Sequence, residues 1–380
     1  MSGIYIHIPY CKKSCFYCDF HFSVNKKNIG EMVQAIKNEI EYFGKNQQYF
    51  FDTDEKINTI YFGGGTPSLL TPIELAEILN KIYKNYNISQ KIEITLEANP
   101  DNLTAEYCQN LKEIGINRLS IGIQSFFDEH LKWMNRSHNS EQALNCIENA
   151  QKSGLKNLNL DLIYGFFGLT DKQWNFNLET IEKTGVKHIS CYNLTVEEKT
   201  PLKKLIEKGK YFNSDENKSI LQFEILQNWA AKNNWDHYEI SNLCKENNFS
   251  IHNCSYWNNE KYLGIGPSAH SFNHIKRHWN IADNKVYIEN LSKNKPCYNS
   301  EILSIKEKYN DYILTSLRTK WGIEIDKSNK ISGFDFLVQN GKTLEKYINS
   351  AHLIIEKNTI KLSKSGMLLA DKIASDLFLV

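Results

Sequence analysis

No stretch of the 380 residues stays apolar for the ~18 positions that a membrane span requires, and the mean hydropathy is −0.49. The start, "MSGIYIHIPYC", has no basic segment followed by a long apolar one, so no secretory signal is read there and a cytoplasmic protein is expected. An excess of either charge is also lacking. Lys and Arg number 45 against 44 Asp and Glu, a net +1 that gives no electrostatic argument for nucleic acid or an anionic surface. No internal repeat or low-complexity tract stands out, and no helix concentrates Arg and Lys as a DNA-recognition helix would. What is present is enough apolar residue for a core, 41%, in a length that suggests about two domains of ~150 residues. Nine cysteines are present, and three fall within "HIPYCKKSCFYCDF". The other six, at 108, 146, 191, 244, 254 and 297, are scattered singly and read as buried small hydrophobes.

Up to about Asn280, short apolar runs alternate with amphipathic segments. "IYIHI", "INTIYF", "KIEITLE", "RLSIGI", "LNLDLIYG" and "KHISCYNL" read as strands. "EMVQAIKNEIEYF", "PIELAEILNKIY", "AEYCQNLKEIG", "EQALNCIENAQKSG" and "DKQWNFNLETIEKTG" read as helices between them. The alternation predicts an α/β fold with a parallel sheet, six βα units forming an open or partial barrel. In such sheets function sits at the carboxyl ends of the strands. The polar and glycine residues of "YFGGGT", "TLEANP", "IGIQSF", "DLIYG" and "YNLTVEE" fall there, and the three cysteines follow the first strand onto the same rim. After Lys285 the pattern changes to helices, then two short strands, a turn and a closing helix. Two domains are therefore expected, 1–284 and 285–380, the second a small α+β, winged-helix-like unit with a structural or substrate-covering role.

Cys11, Cys15 and Cys18 have the spacing C-x3-C-x2-C. In a reducing compartment such a group reads as metal-binding or redox, not as a disulfide staple. Three thiolates can hold three irons of a [4Fe–4S] cubane and leave the fourth without a protein ligand. S-adenosylmethionine suits that open position through its amino and carboxylate groups, and the reduced cluster can cleave its C–S bond. The alternative is a zinc site completed by His7 or His21.

These residues, with "YFGGGTPS", "LEANPDNL", "NRSHN", "DLIYG", "YNLTVEEKTPL", "YEISN", "HNCSYW", "YLGIGPSAHSF" and "LTSLRTKWGI", give a sequence that resembles the radical-SAM proteins nearly end to end. Within them it resembles the oxygen-independent coproporphyrinogen-oxidase-like group, and there the HemW-type haem chaperones. The resemblance implies cofactor contacts at Tyr5, Gly64, Gly65, Thr66, Glu97, Gln124, Arg136 and Asp161. Glycines let a backbone approach a ligand, carboxylates and amides at strand ends can bond a ribose or an amino group, and Arg136 can pair with a carboxylate in a fork. Taken singly, the glycines suit a tight turn and the charged residues a solvated rim. One segment departs from the family pattern: "DLIYG" usually continues "LPGQT", and here Phe167 replaces the proline.

The implied function is a haem chaperone that carries the cluster and S-adenosylmethionine, binds haem and delivers it to acceptor haem proteins, membrane-bound ones included, with an electron donor as a further partner. In "HNCSYW", His252 is the leading candidate for an axial haem ligand, with Asn253 to fix its ring and Tyr256 and Trp257 to pack on the porphyrin. The alternatives are a hydrogen-bonded loop histidine, or another ligand among His7, His21, His138, His237, His270 and His278. The competing function is a radical-SAM enzyme of the coproporphyrinogen III dehydrogenase type acting on a porphyrin or another small molecule. Two features favour the chaperone. The oxidases typically carry a fourth cysteine where this chain has Phe20, and they have a long segment before the motif, whereas only ten residues precede Cys11 here.

Overall fold

The protein is seen in a computed structural model that describes residues 2–46, 50–52 and 54–379; Met1 and Val380, the outer limits of the two expected domains, lie outside the described residues. Six strands, β1 (Ser2–Ile8), β2 (Ile57–Gly64), β3 (Ile88–Ala98), β4 (Arg118–Gln124), β5 (Asn157–Tyr164) and β6 (His188–Asn193), lie side by side in chain order, each parallel to the next. The intervening helices are α1 (Ile29–Lys45), α2 (Pro72–Asn85), α3 (Ala105–Glu113), the short α4 (Asp128–Trp133), α5 (Ser140–Lys152) and α6 (Asp171–Thr184). Their starts are written locally. Thr71 with Glu74, Asn139 with Gln142 and Thr170 with Gln173 form reciprocal capping boxes that satisfy otherwise orphaned N–H groups.

The strands alternate strictly. Ile4, Ile6, Leu96, Ile121, Leu160 and Ile189 point outward into the core shared with the helices. Tyr5, Tyr61, Glu97, Ser120, Asp161 and Tyr192 take the opposite register and face inward. Because a strand's side chains repeat every second residue, one set of six strands builds both an aliphatic shell and a polar barrel interior.

Beyond β6 come α7 (Pro201–Glu207), α8 (Glu216–Lys232), β7 (Asp236–His237), β8 (Asn242–Cys244) and α9 (Ile251–Trp257). Then β9 (Tyr262–Ile265) returns to pair parallel with β1, and β10 (His270–Phe272), β11 (Lys276–Asn280) and β12 (Tyr298–Ile302) extend that side of the sheet, each antiparallel to its neighbour, with α10 (Asn284–Leu291) between β11 and β12 in the chain. The twelve strands form one open sheet.

α11 (Ile305–Leu317), β13 (Ile323–Glu324), α12 (Ile325–Ser332), α13 (Phe336–Asn349), β14 (Leu353–Glu356), β15 (Thr359–Leu362) and α14 (Ala370–Asp376) follow. Helices and a three-stranded antiparallel sheet in this order make the winged-helix-like unit, with its own buried cluster from Tyr309 to Leu377. It joins the sheet edge through backbone bonds from Ile240 to Arg318 and from Lys320 to Tyr238. Tyr287 and Leu291 of α10 belong to the first core, and β12 completes the first sheet. The βα alternation ends before the fold does, because the last strands are antiparallel and need no crossover helices.

One buried carboxylate pins that extension. Glu39 of α1 accepts from Tyr287 Oη at 2.5 Å, Asn280 Nδ2 at 2.7 Å and the Gly266 N–H at 2.8 Å. Burial pushes its carboxyl up to about 7 against the opposition of these three donors. The group's pKa is therefore higher folded than unfolded, and its stabilisation falls as pH rises from about 4.5 through 7. Glu39→Gln is expected to flatten that part of the pH–stability profile in denaturant unfolding. Glu39→Ala is expected to lose about 3 kcal/mol by orphaning the donors, and an unchanged midpoint in both variants would contradict the pinning role.

Candidate functional site

The cysteine loop leaves β1 at Pro9 and is closed at its base by two backbone bonds, Cys11 N–H to Ser23 O at 3.0 Å and Ser23 N–H to Pro9 O at 2.9 Å. The turn after α4 holds its tip. Phe16 N–H donates to Met134 O, and Asn135 Nδ2 donates to Ser14 O at 2.8 Å. Cys11, Cys15 and Cys18 are free and partly buried, and all three line one cavity of about 590 Å³ at the carboxyl ends of β2 to β6. Burial pushes the Cys11 and Cys18 thiols up to about 11, so iron binding must displace their protons.

Gly64, Gly65, Thr66, Glu97, Gln124, Arg136 and Asp161 line the same cavity. The glycine turn is stapled to the cysteine loop: Gly65 N–H donates to Ile8 O at 2.9 Å and Thr66 N–H to Tyr10 O at 2.7 Å. Thr66 Oγ1 donates to Cys11 Sγ at 3.5 Å. Glu97 accepts from Tyr61 Oη at 2.9 Å and the Gly64 N–H at 3.2 Å, and burial pushes its carboxyl up to about 7. Burial likewise pushes Asp161 up to about 6, while Asn159 Nδ2 and Ser120 Oγ donate to it. Gln124 ends β4 with φ of +65°, a left-handed conformation that a non-glycine residue adopts at a cost of about 1 kcal/mol; such strain concentrates at functional positions.

Arg136 differs from its expected role as a carboxylate fork. Its Nη2 donates to Asn99 Oδ1 at 2.7 Å and Gly122 O at 2.8 Å, and its Nη1 faces Cys15 Sγ and Tyr17 Oη, each at 3.4 Å. Both terminal nitrogens are thus committed to the cysteine loop and the strand ends. Among the described residues the buried Arg136 Nε and Gln124 Oε1 have no partner. A donor and an acceptor left unpaired beside three thiols are what a bound polar group would satisfy, so these residues fit a cluster with a polar ligand.

Two further expectations are corrected. Tyr5 does not line the cysteine cavity. It stacks on Tyr61 at 6.1 Å and faces a second cavity. His252 lies on α9, not in a loop, and is 1% exposed. Its Nδ1 is 2.7 Å from Thr59 Oγ1 and its Nε2 is 2.9 Å from Tyr256 Oη, so neither nitrogen is free for iron, and its ring partners are Thr59 and Tyr256 in place of Asn253. Burial lowers it to about 3, which keeps it neutral. His7 and His21, weighed as completing a zinc site, line the second cavity. Among the described residues no three His, Cys, Asp or Glu side chains gather closely enough for a single metal ion; thiolates on separate irons of a cubane need not. In the replaced turn Gly165 and Gly168 are both at positive φ, and the exposed Phe167 packs on Phe212 at 4.6 Å.

Sequence reasoning missed Tyr17, Asn99, Tyr61 and Tyr192. Tyr17 and Asn99 lay inside quoted motifs, "CFYC" and "LEANP". Tyr61 and Tyr192 are legible only once the inward face of each strand is known.

A family model described as the Radical SAM superfamily matches residues 5–181. The heme chaperone HemW of Lactococcus lactis subsp. lactis (strain IL1403) is 30% identical over 373 residues, 98% of this chain and 96% of that protein. The chain belongs to the HemW haem chaperone family. The HemW of Bacillus subtilis (strain 168) is 33% identical over 327 residues, 85% of each chain. Membership in the HemW family thus takes in the winged-helix-like unit as well as the barrel. The coproporphyrinogen III oxidase HemN of Escherichia coli, a radical SAM enzyme, superposes with a TM-score of 0.85 over 99% of this chain and 90% of its own, at 18% identity. That likeness establishes the shared fold.

Proposed function

We propose that this protein binds haem and hands it to acceptor haem proteins in the cytoplasm, carrying a [4Fe–4S] cluster and S-adenosylmethionine in the cysteine cavity and receiving electrons from an external donor. The observation that carries the reading is the likeness to HemW across 98% of the chain. When bound, the cluster supplies an iron with an open position and an electron for a sulfonium.

The chain's own residues have distinct tasks. Cys11, Cys15 and Cys18 bind iron. Thr66 donates toward Cys11, which opposes the effect of burial on that thiol, and Arg136 donates toward Cys15. Gly64 and Gly65 bring backbone close to the ligand, Glu97 and Asp161 offer acceptors, and Gln124 Oε1 and Arg136 Nε remain for polar atoms of the ligand. No helix among the described residues is long and apolar enough to cross a membrane, so a membrane-bound acceptor would be met from the aqueous side.

A second reading, a radical-SAM enzyme of the coproporphyrinogen III dehydrogenase type, is favoured by the completeness of the cysteine cavity. Against it stands Phe20, 71% exposed at the wall of that cavity, where a fourth cysteine is typical of the oxidases. Incubating the anaerobically reconstituted protein with coproporphyrinogen III, reductant and S-adenosylmethionine is expected to yield no protoporphyrinogen. Sustained multiple turnovers would replace the chaperone by the enzyme.

A further inference from the structure

A second cavity, of about 690 Å³, lies beside β1, β9 and β10, and α11 of the winged-helix-like unit also lines it. Asp19 and Phe20 line both cavities, so the cysteine loop is the partition between them. Aromatic rings form one part of the wall, and charged and polar side chains form the rest. Tyr256 and Tyr262 meet edge to face at 4.6 Å, and Phe272 lies 6.2 Å from Tyr262. A concave site of several hundred Å³ that combines aromatic surface with placed polar groups is a usual form of a cofactor site.

Three imidazoles line this cavity, and their hydrogen bonds distinguish them. His7 Nε2 donates to His21 O at 2.9 Å, and its Nδ1 faces Tyr5 Oη at 3.3 Å. It is buried with both nitrogens engaged, and it fixes the backbone of His21. His270 is exposed on β10 and lies against Trp279 at 6.3 Å. His21 is different. Its Nε2 lies 2.7 Å from Asn284 Oδ1. An amide oxygen accepts, so Nε2 carries the proton and the lone pair is on Nδ1. A histidine oriented by a carbonyl on one nitrogen and free on the other is the arrangement that metal-binding imidazoles use.

We propose that the second cavity is the haem site, with His21 Nδ1 as axial ligand and the macrocycle among Tyr256, Tyr262 and Phe272. This site rests on the haem-chaperone reading above and gives it a location. One loop then presents thiols to the first cavity and an imidazole to the second. Charge sets the orientation of the ligand. Arg277, the basic side chain at the cavity, is already paired with Glu301 at 3.1 Å and with Asp311. Asp19 and Glu260 add negative charge. The haem propionates therefore point to solvent, and the apolar edge enters. A single axial imidazole in an open cavity holds haem while leaving it removable.

The test is an anaerobic titration of the full-length, cluster-reconstituted protein with ferric haem, read by the Soret band, with acid-labile sulfide measured in parallel. His21→Ala is expected to shift the Soret band and weaken haem binding about tenfold or more at unchanged sulfide content, and added imidazole is expected to restore the band. Thr315→Trp, which fills the cavity from α11 away from the cysteines, is expected to weaken binding without changing the ligand signature. It decides the site on the same criterion should His21→Ala lose sulfide. Wild-type affinity and Soret position in His21→Ala, or wild-type affinity in Thr315→Trp, would overturn this site and leave the chaperone reading standing. Failure of the unaltered protein to bind haem would overturn that reading itself.

Discussion

Cys15→Ala, prepared and reconstituted anaerobically, is expected to contain essentially no acid-labile sulfide and to lack the broad visible absorption of the parent protein. The same is expected of Cys11→Ala and Cys18→Ala. The three thiols are the cysteines of the cavity, and no other cysteine lines it. Cys108, Cys146, Cys191, Cys244 and Cys254 are buried elsewhere, so none can substitute. The fold should survive each replacement. The loop is held by backbone bonds at Cys11–Ser23, by Phe16–Met134 and by Asn135 on Ser14, none of which needs a thiol side chain. The far-ultraviolet circular dichroism and unfolding midpoint of the apo-proteins are therefore expected to stay close to those of the parent apo-protein. Stoichiometric zinc without iron in the parent would contradict the cluster assignment.

Gly65→Ala is expected to be nearly as damaging by a different route. A Cβ on Gly65 would stand 2.6 Å from Tyr10 O and 2.9 Å from Ile8 O and Tyr10 N. These are backbone atoms and cannot swing aside. They belong to the root of the cysteine loop, the segment to which the Gly65 and Thr66 N–H groups staple the glycine turn. The methyl must push the glycine turn away from the root of the cysteine loop. Overpacking of this kind costs about 1–3 kcal/mol, and here it also displaces Cys11 from Thr66. Cluster content is expected to fall sharply along with the midpoint. Gly168→Ala is the comparison: open space surrounds the position, and only its φ of +95° resists a side chain. It is expected to cost about 1 kcal/mol and to leave the sulfide content unchanged. Equal sulfide in Gly65→Ala and the parent would remove the steric argument.

The barrel was legible because its signals are local. The six parallel strands are short apolar runs, most with glycine or a polar residue at or just after their ends, and α2, α3, α5, α6 and α7 each start at a side-chain cap. The cysteine loop was legible for the same reason, since its three thiols lie within one turn-rich segment. What escaped is set by contacts across the sheet. His252 reads as a loop histidine beside two aromatics. Thr59 on β2 and Tyr256 one helical turn away take both its nitrogens, and only the folded chain brings Thr59 there. Arg136 reads as a free fork until Asn99 and Gly122 are placed against it. The pairing of β12 with β11 is set by register, which periodicity in β12 alone does not reveal. His21 stood among several candidate imidazoles, and only its bond to Asn284 separates it from them.

The central claim is that haem is cargo, carried and released, and not a substrate to be altered. It is tested most directly by loading the reconstituted protein with one equivalent of haem under anaerobic conditions, removing the excess and adding an apo-acceptor haem protein. The expected result is loss of the Soret signature of the carrier and stoichiometric appearance of the holo-acceptor's spectrum, with the porphyrin recovered chemically unchanged. Haem that stays on the carrier, or a porphyrin product that accumulates with repeated consumption of S-adenosylmethionine, would contradict it.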